Sequence, residues 1–150
     1  MFRRLLIVFM LLIIVGCNGI DEPAEDIIVG EVTVTFDGAR FLDDTLFQEA
    51  PEGKQWLAVD LTLENTGSQS QTITASLMFT LENQDGITYE HDQFAPDAQA
   101  LDGSLSSGST VSGPLTYAIE KNDTAWTMTF VLVPGTPESD SFSFTLDDVE

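Results

Sequence analysis

The sequence predicts an all-β fold, in which short strands form a sandwich or a barrel. Its clearest strand lies within Gly53–Gly67, where Leu57, Val59, Leu61 and Leu63 occupy every second position. That period of two is typical of a strand with one buried face, so these four side chains are expected to point into the core. We interpret this segment as the central strand of a β-sandwich. A turn is expected at its end, and no helical period follows residue 19.

The flanking segments are interpreted from the same alternation. Glu31–Phe36 predicts a strand that ends in a turn at Asp37-Gly38. Arg40–Pro51 is irregular, with Leu46 and Phe47 among acidic residues, and is expected to hold a short strand or a packed loop. Alternation through Gln71–Leu81 predicts one further strand.

The second half of the chain contains the remaining strands. Asn83–Gly86 predicts a turn that leads into a hairpin strand at Ile87–Tyr89, and His91–Leu101 reads as a connecting loop. Pro114 lacks a backbone N–H and therefore places its own strand at a sheet edge or a bulge. Alternating side chains predict strands over three segments: Val111–Ile119, Trp126–Leu132 and Phe142–Leu146.

Composition limits the class of function. A chain of 150 residues with 43% apolar residues suits one folded domain. It carries 25 acidic residues against five Lys and Arg, which disfavours nucleic acid as a partner because phosphate binding needs clustered cations. Cys17 is the sole cysteine, so the fold has no intrachain disulfide and no thiolate metal cluster.

The first 16 residues have the layout of an export signal. Arg3 and Arg4 precede the apolar run Leu5–Val15, which is too short for a comfortable membrane span. The segment Ile14–Cys17 resembles the lipobox of prokaryotic lipoproteins, in which the cysteine thiol accepts acyl chains such as palmitate. The alternatives are a plain signal peptide or an uncleaved anchor. We therefore predict a signal peptide over residues 1–16, lipidated Cys17 with an acidic tether over 17–28, and a folded domain over 29–150.

The order of features resembles a known family, the telokin-like, immunoglobulin-fold domains of unknown function found in bacterial and archaeal surface lipoproteins. The similarity covers about Gly30 to Asp148 and consists of structural positions and turn glycines. The matching features are the strand Gly53–Asn65, the strand at Phe79–Leu81 with Asp85-Gly86 and Tyr89 after it, and Leu105–Gly108 leading through Gly113 to Tyr117. The resemblance implies an immunoglobulin-like two-sheet sandwich outside the cytoplasm, and it supplies no catalytic residues.

Candidate catalytic groups are few. His91 is the single histidine, and we interpret it as an ordinary loop residue because it has no cysteine or second histidine to work with. Paired carboxylates are unavoidable among 25 acids and indicate nothing by their spacing. The expectation is that the protein is not an enzyme and needs no cofactor.

Three binding features are weighed against plainer interpretations. The loop aspartates are candidate calcium ligands, and the plainer interpretation is that they form a solvated acidic surface. They are Asp43, Asp44, Asp85, Asp97, Asp102, Asp147 and Asp148. Four aromatic residues of the predicted sheets are a candidate sugar-binding platform, and the plainer interpretation is that they are half-buried packing residues. They are Trp56, Trp126, Tyr89 and Tyr117. Asn122-Asp123-Thr124 is an N-glycosylation acceptor pattern in an expected hairpin turn. The acid excess is also typical of halophile proteins.

The sequence thus supports three hypotheses. The first is a cell-membrane lipoprotein, anchored through Cys17 and facing outward, whose module binds an envelope protein or glycan. The second is a surface enzyme, or an accessory subunit of one, that uses carboxylates and a metal. The third is a passive envelope component.

Overall fold

The computed structural model describes residues 26–96, 98 and 101–150, and in this part of the chain nearly all regular structure is β. The signal peptide, Cys17 and Asp97 lie outside the described residues. The elements in chain order are β1 (Asp26–Val29), β2 (Val32–Leu42), β3 (Lys54–Asn65), β4 (Gln71–Ile73), α1 (Ala75–Met78), β5 (Phe79–Asn83), β6 (Thr88–Tyr89), β7 (Gly103–Leu105), β8 (Thr110–Glu120), β9 (Ala125–Val131), β10 (Ser139–Thr145) and a 3-10 turn (Leu146–Asp148).

Two four-stranded antiparallel sheets confirm the predicted sandwich. One has the order β1-β2-β3-β8 and the other β10-β9-β5-β6, with a small β4-β7 pair beside them. The alternation in β3 is confirmed, because Leu57, Val59, Leu61 and Leu63 are all buried between the sheets. They share the core with aromatic side chains of the second sheet, and Phe79 and Phe130 lie 4.8 Å apart between ring centroids.

The end of β3 is fixed by one buried amide. Asn65 Nδ2 donates to the carbonyls of Gln69 at 2.7 Å and Leu105 at 2.9 Å, and its Oδ1 accepts from Gly67 N at 3.0 Å. These three bonds close the predicted Asn65–Gly67 turn and tie it to β7. Because every polar atom of the side chain is used, the burial of Asn65 leaves no unsatisfied group.

The predicted turn at Asp37-Gly38 is wrong. β2 continues through it to Leu42, and the pairing with β3 shifts there because Phe36 opposes Leu61 while Gly38 opposes Asp60. Asp37 is therefore the extra residue of a β-bulge in β2. Gly38, the next residue, has φ of +145°, a conformation that suits glycine.

Two further predictions are corrected. Gln71–Leu81 is not one strand, since α1 interrupts it and exposes Leu77 while β4 and β5 enter different sheets. The alternating apolar residues of Gln71–Leu81 therefore belong to strands of two different sheets. Residues 26–28, which the prediction assigned to the tether, belong to β1 and pair with β2.

Other predictions are confirmed. Leu81 pairs with Tyr89 in the expected hairpin, and Pro114 lies in β8 at the edge of its sheet. The described residues of His91–Leu101 contain neither strand nor helix. No helix in residues 26–96 or 101–150 is long and apolar enough to cross a membrane.

Candidate functional site

Several connections meet at one end of the sandwich, which we call the loop end. The register places Leu42 of β2 beside Trp56 of β3, and Lys54 of β3 beside Glu120 of β8, so the β2–β3 loop (43–53) and the β8–β9 turn (121–124) emerge together. The β5–β6 turn joins them, because Gln84 N donates to Ala125 O at 3.1 Å. Loops on a rigid sandwich are a common place for function, and the loop end is the candidate site.

A buried carboxylate holds the loop end together. Asp123 is 3% exposed, and its Oδ2 accepts from Tyr89 Oη at 2.6 Å while its Oδ1 accepts from Asn83 Nδ2 at 2.8 Å. Tyr89 Oη in turn accepts from Glu120 N at 3.3 Å. These bonds join the β5–β6 hairpin to the β8–β9 turn. Sequence reasoning missed the role of Asp123, since it treated the residue only as part of an N-glycosylation acceptor pattern in an expected hairpin turn.

The network also affects the ionisation of Tyr89. Burial, and then its hydrogen bond to Asp123, raise the pKa of Tyr89 to about 12 from the ordinary value of 10. Burial also raises the pKa of Tyr117. Both shifts favour the neutral phenol in the folded protein.

The free energy of unfolding is therefore expected to fall as pH rises from 10 toward 12. The unfolded chain loses tyrosyl protons near pH 10 while the folded protein retains them, so the unfolded state gains stability over this window and the loss is complete above pH 12. Urea titrations at pH 9, 10, 11 and 12 measure the slope. Tyr89→Phe should fall less steeply, and an equal slope in this variant would contradict the assignment.

The candidate calcium ligands in the described part of the chain are scattered, and five of them lie in loops or turns near the loop end. Asp44 Oδ1 accepts from Ala50 N at 2.7 Å, Asp148 Oδ2 accepts from Thr145 N at 2.6 Å, and Asp85 is exposed in the β5–β6 turn. Asp43 is exposed beside Asp44, and Asp147 beside Asp148. Asp102 lies elsewhere, accepting from Ala75 N at 2.6 Å. Within residues 26–96, 98 and 101–150, no three acidic, histidine or cysteine side chains are grouped to hold a metal ion.

General charge screening is therefore expected to stabilise the protein more than calcium does. The urea midpoint should rise steadily with NaCl, because the range of repulsion shrinks from about 10 Å at 0.1 M to about 3 Å at 1 M. At constant ionic strength, millimolar Ca²⁺ and Mg²⁺ should act alike. A saturable rise with Ca²⁺ alone would instead indicate a specific site.

His91 has a structural role at the open edge of β8. Its Nδ1 lies 3.2 Å from both the N and the O of Thr116, and the next residue, Asp92, donates its N–H to Thr116 O at 2.8 Å. The ring also meets Tyr117 edge-on, with centroids 6.0 Å apart. These contacts hold residues 91 and 92, which follow β6, along the edge of β8. This agrees with the interpretation of His91 as an ordinary loop residue.

Of the two interpretations of the sheet aromatics, the structure agrees with packing residues and not with a sugar-binding platform. Trp56, Trp126, Tyr89 and Tyr117 are all buried, because tertiary packing covers both faces of their strands. A flat ring in a wet groove is what a sugar platform needs, and these rings contribute to packing instead.

The exposed aromatic side chains lie in loops. Among large apolar residues in the described part of the chain, the three most exposed are Phe47 at 95%, Leu46 at 93% and Phe94 at 76%. The two loops that carry them are bonded together, since Gln48 Nε2 donates to Phe94 O at 2.5 Å. The interpretation of residues 40–51 as a short strand or a packed loop is therefore corrected at Leu46 and Phe47, because both side chains are almost fully exposed. The available sequence signal for this exposure was the pair of apolar residues within an acidic, turn-forming segment.

Two shallow depressions flank these residues. One of about 300 Å³ is lined by Glu90, His91, Asp92, Gln93 and Phe94. The other, of about 280 Å³, is lined by Asp43 and Asp44 together with Phe41, Leu42, Lys54, Gln55, Trp56 and Lys121. Lys54 Nζ lies 3.7 Å from Glu120 Oε1 and 5.6 Å from the centre of the Tyr89 ring. Asn122 is exposed in the β8–β9 turn, where the acceptor pattern was expected.

A family model described as a domain of unknown function, DUF4352, matches residues 21–140. The chain belongs to the DUF4352 family. This membership confirms the domain of unknown function expected from the resemblance. No curated protein shows significant similarity to this DUF4352 chain.

Solved structures share the fold of this DUF4352 domain at low sequence identity. A candidate lipoprotein from Bacillus subtilis, ycdA, is 15% identical with a TM-score of 0.67. The match covers 85% of this chain but only 40% of ycdA, so this chain spans less than half of that protein. The yjhA protein from Bacillus subtilis is 16% identical with a TM-score of 0.62 and matches over 85% of this chain and 98% of its own.

A third structure agrees with the two-sheet architecture of the DUF4352 domain. An uncharacterized β-sandwich protein from Clostridium difficile is 14% identical with a TM-score of 0.50, over 82% of this chain and 91% of its own. At these identities the similarity establishes the fold, and the loop end must be judged on its own residues.

Proposed function

We propose that this protein is a lipid-anchored module of the cell envelope, facing away from the cytoplasm, that binds another envelope molecule and catalyses no reaction. The observation that carries the proposal is the position of Cys17, the sole cysteine, directly after the apolar export segment. Eight residues separate it from Asp26, the first residue of β1. At about 3.3 Å per residue, this spacer keeps the domain within about 30 Å of its anchor.

The fold and its similarities support this proposal. The structural similarity to ycdA, a candidate lipoprotein, is consistent with the same location for this chain. Removal of the signal leaves three cations, Arg40, Lys54 and Lys121, against 25 acids, a formal charge of −22. Such a charge disfavours nucleic acid as a ligand and favours a basic partner.

A binding role is preferred over catalysis because of the chemistry at the loop end. His91 is engaged with the backbone of β8, and Asp123 is engaged with Tyr89 and Asn83 inside the fold. The exposed groups at this end are mostly carboxylates, with Lys121, Asn122 and three large apolar side chains. That combination favours contact with another macromolecule over proton transfer in a closed pocket.

The anchor is tested with the full-length protein expressed in a bacterium that processes lipoproteins. Wild type is expected to partition into the detergent phase and to incorporate labelled palmitate, because two acyl chains hold a protein stably on a membrane. Cys17→Ala should remain in the aqueous phase or be retained as the unprocessed precursor, without label.

Asp21→Asn, in the same segment, is the matched control and should behave as wild type does. The mass of the mature N-terminal peptide decides the result. A wild-type peptide without acyl chains would contradict the proposal.

A further inference from the structure

The tip of the β2–β3 loop is a tight turn whose two central residues are Leu46 and Phe47. Thr45 N donates to Gln48 O at 2.9 Å, and Gln48 N donates to Thr45 O at 3.4 Å, so the backbone closes around these two residues. Gly, Asn, Asp and Ser dominate such positions, because Gly tolerates positive φ and the other three bond to the turn backbone through their side chains. Two almost fully exposed apolar residues at this tip are therefore unusual on a monomer surface.

Side-chain hydrogen bonds hold this turn in place. Thr45 Oγ1 accepts from Phe47 N at 3.4 Å, and Asp44 Oδ1 accepts from Ala50 N at 2.7 Å. The loop is thus ordered before any partner arrives. An ordered loop loses less conformational entropy on binding, which favours affinity.

Phe94 extends the same surface from the neighbouring segment. Asp92 Oδ1 accepts from Phe94 N at 2.9 Å, and the Gln48 side chain fixes the carbonyl of Phe94. We define the apolar tip as Leu46, Phe47 and Phe94. Aromatic side chains on pre-organised loops are typical of the residues that dominate the energy of protein interfaces.

Acidic residues surround the apolar tip and indicate the charge of its partner. Asp43, Asp44, Glu49 and Glu52 lie in the same loop, and Glu90 and Asp92 line the depression beside Phe94. Two cations, Lys54 and Lys121, line the depression that holds Asp43 and Asp44, and Lys54 also lies beside Glu120, so these six acids outnumber the cations beside them. An anionic membrane surface and a second copy of this chain both carry negative charge, so both would be repelled.

We propose that the apolar tip inserts into an apolar pocket, bordered by Lys and Arg, on another envelope protein. This proposal rests on the proposed function and names the partner of the same loop end. The partner's basic border pairs with the acidic residues around the tip and steers the encounter, while Leu46, Phe47 and Phe94 supply the buried contact.

The test uses the full-length protein in intact cells, with a photoreactive phenylalanine analogue in place of Phe94. Illumination should yield one discrete protein adduct. The same analogue at Val133, an exposed apolar position beyond the far end of β9, is the matched control and should yield none. The partner peptide in the adduct should contain apolar residues flanked by Lys or Arg.

Two further variants test the contact and its charge. In the protein that carries the analogue at position 94, the double change Leu46→Ser and Phe47→Ser should weaken binding to the partner about 30-fold or more. Removal of a dominant interface contact has an effect of this size. Asp43→Asn with Asp44→Asn and Glu49→Gln should lower the adduct yield several-fold, and so should a rise in NaCl from 0.1 to 1 M.

An adduct with lipid, an adduct with a second copy of the chain, or no adduct above the Val133 control would each overturn the inference. So would an adduct that survives the serine variants. The membrane fraction of wild type is measured in parallel. An unanchored wild type would contradict the proposed function, whereas an anchored protein without the adduct would contradict only the partner.

Discussion

Leu61→Ala is expected to lower the free energy of unfolding by about 2–5 kcal/mol, the range for removing a large aliphatic side chain from a packed core. Leu61 is 1% exposed and lies between Phe36 of β2 and Gly113 of β8 in the register of its sheet. The cost includes the lost burial of apolar surface and the cavity that remains. Urea denaturation of the two proteins at pH 7 measures it.

Thr62→Ala is the matched control on the opposite face of β3. Thr62 is half-buried, and its hydroxyl donates to Asp37 Oδ2 at 2.6 Å at the surface, so its loss should cost about 1 kcal/mol or less. Equal losses from the two changes would mean that the core lies on the other face of the strand.

Asp123→Ala is expected to cost a similar amount, about 2–5 kcal/mol, for a different reason. The change removes the acceptor for Tyr89 Oη and Asn83 Nδ2, and each buried donor left unpaired costs about 1–3 kcal/mol. The β5–β6 hairpin and the β8–β9 turn should separate more easily as a result. Urea midpoints give the size of the loss, and amide hydrogen exchange at Asn83–Tyr89 gives its location.

The control for Asp123 is Asp85→Ala in the adjoining turn. Asp85 is exposed and its carboxylate contacts Gln84 Nε2 at 3.1 Å, so its removal should change stability by about 0.5 kcal/mol or less. If Asp123→Ala were as mild as Asp85→Ala, the network around Tyr89 would contribute nothing to folding.

The sequence predicted the parts of the fold that depend on local pattern. The period of two in β3 predicts the buried face, and the structure agrees for Leu57, Val59, Leu61 and Leu63, although Ala58 on the opposite face is buried as well. Asp37-Gly38 shows where local pattern fails, because the same dipeptide suits a hairpin turn and a bulge. Only the pairing of β2 with β3, between residues about 20 positions apart, distinguishes the two.

The loop end was the hardest part to predict. Asp123 is bonded to residues 34 and 40 positions away, so no local pattern reveals that its carboxylate is buried. Leu46 and Phe47 present the opposite case, because apolar side chains in a loop normally pack against the domain. Their exposure follows from the hydrogen bonds around Thr45 and Gln48, which a sequence does not display.

The short strand β1 has a mechanical consequence if the domain is anchored through Cys17 as proposed. A pull from that anchor would pass through Asp26, and β1 is paired with β2 over four residues, from Asp26 opposite Thr35 to Val29 opposite Val32. Antiparallel hydrogen bonds lie across the strand, so a pull along its axis strains all of them together in shear. Ile27 and Val29 are buried and would have to leave the core in the same movement. Under the proposed anchoring, β1 would therefore resist tension and take the load before the rest of the sheet does.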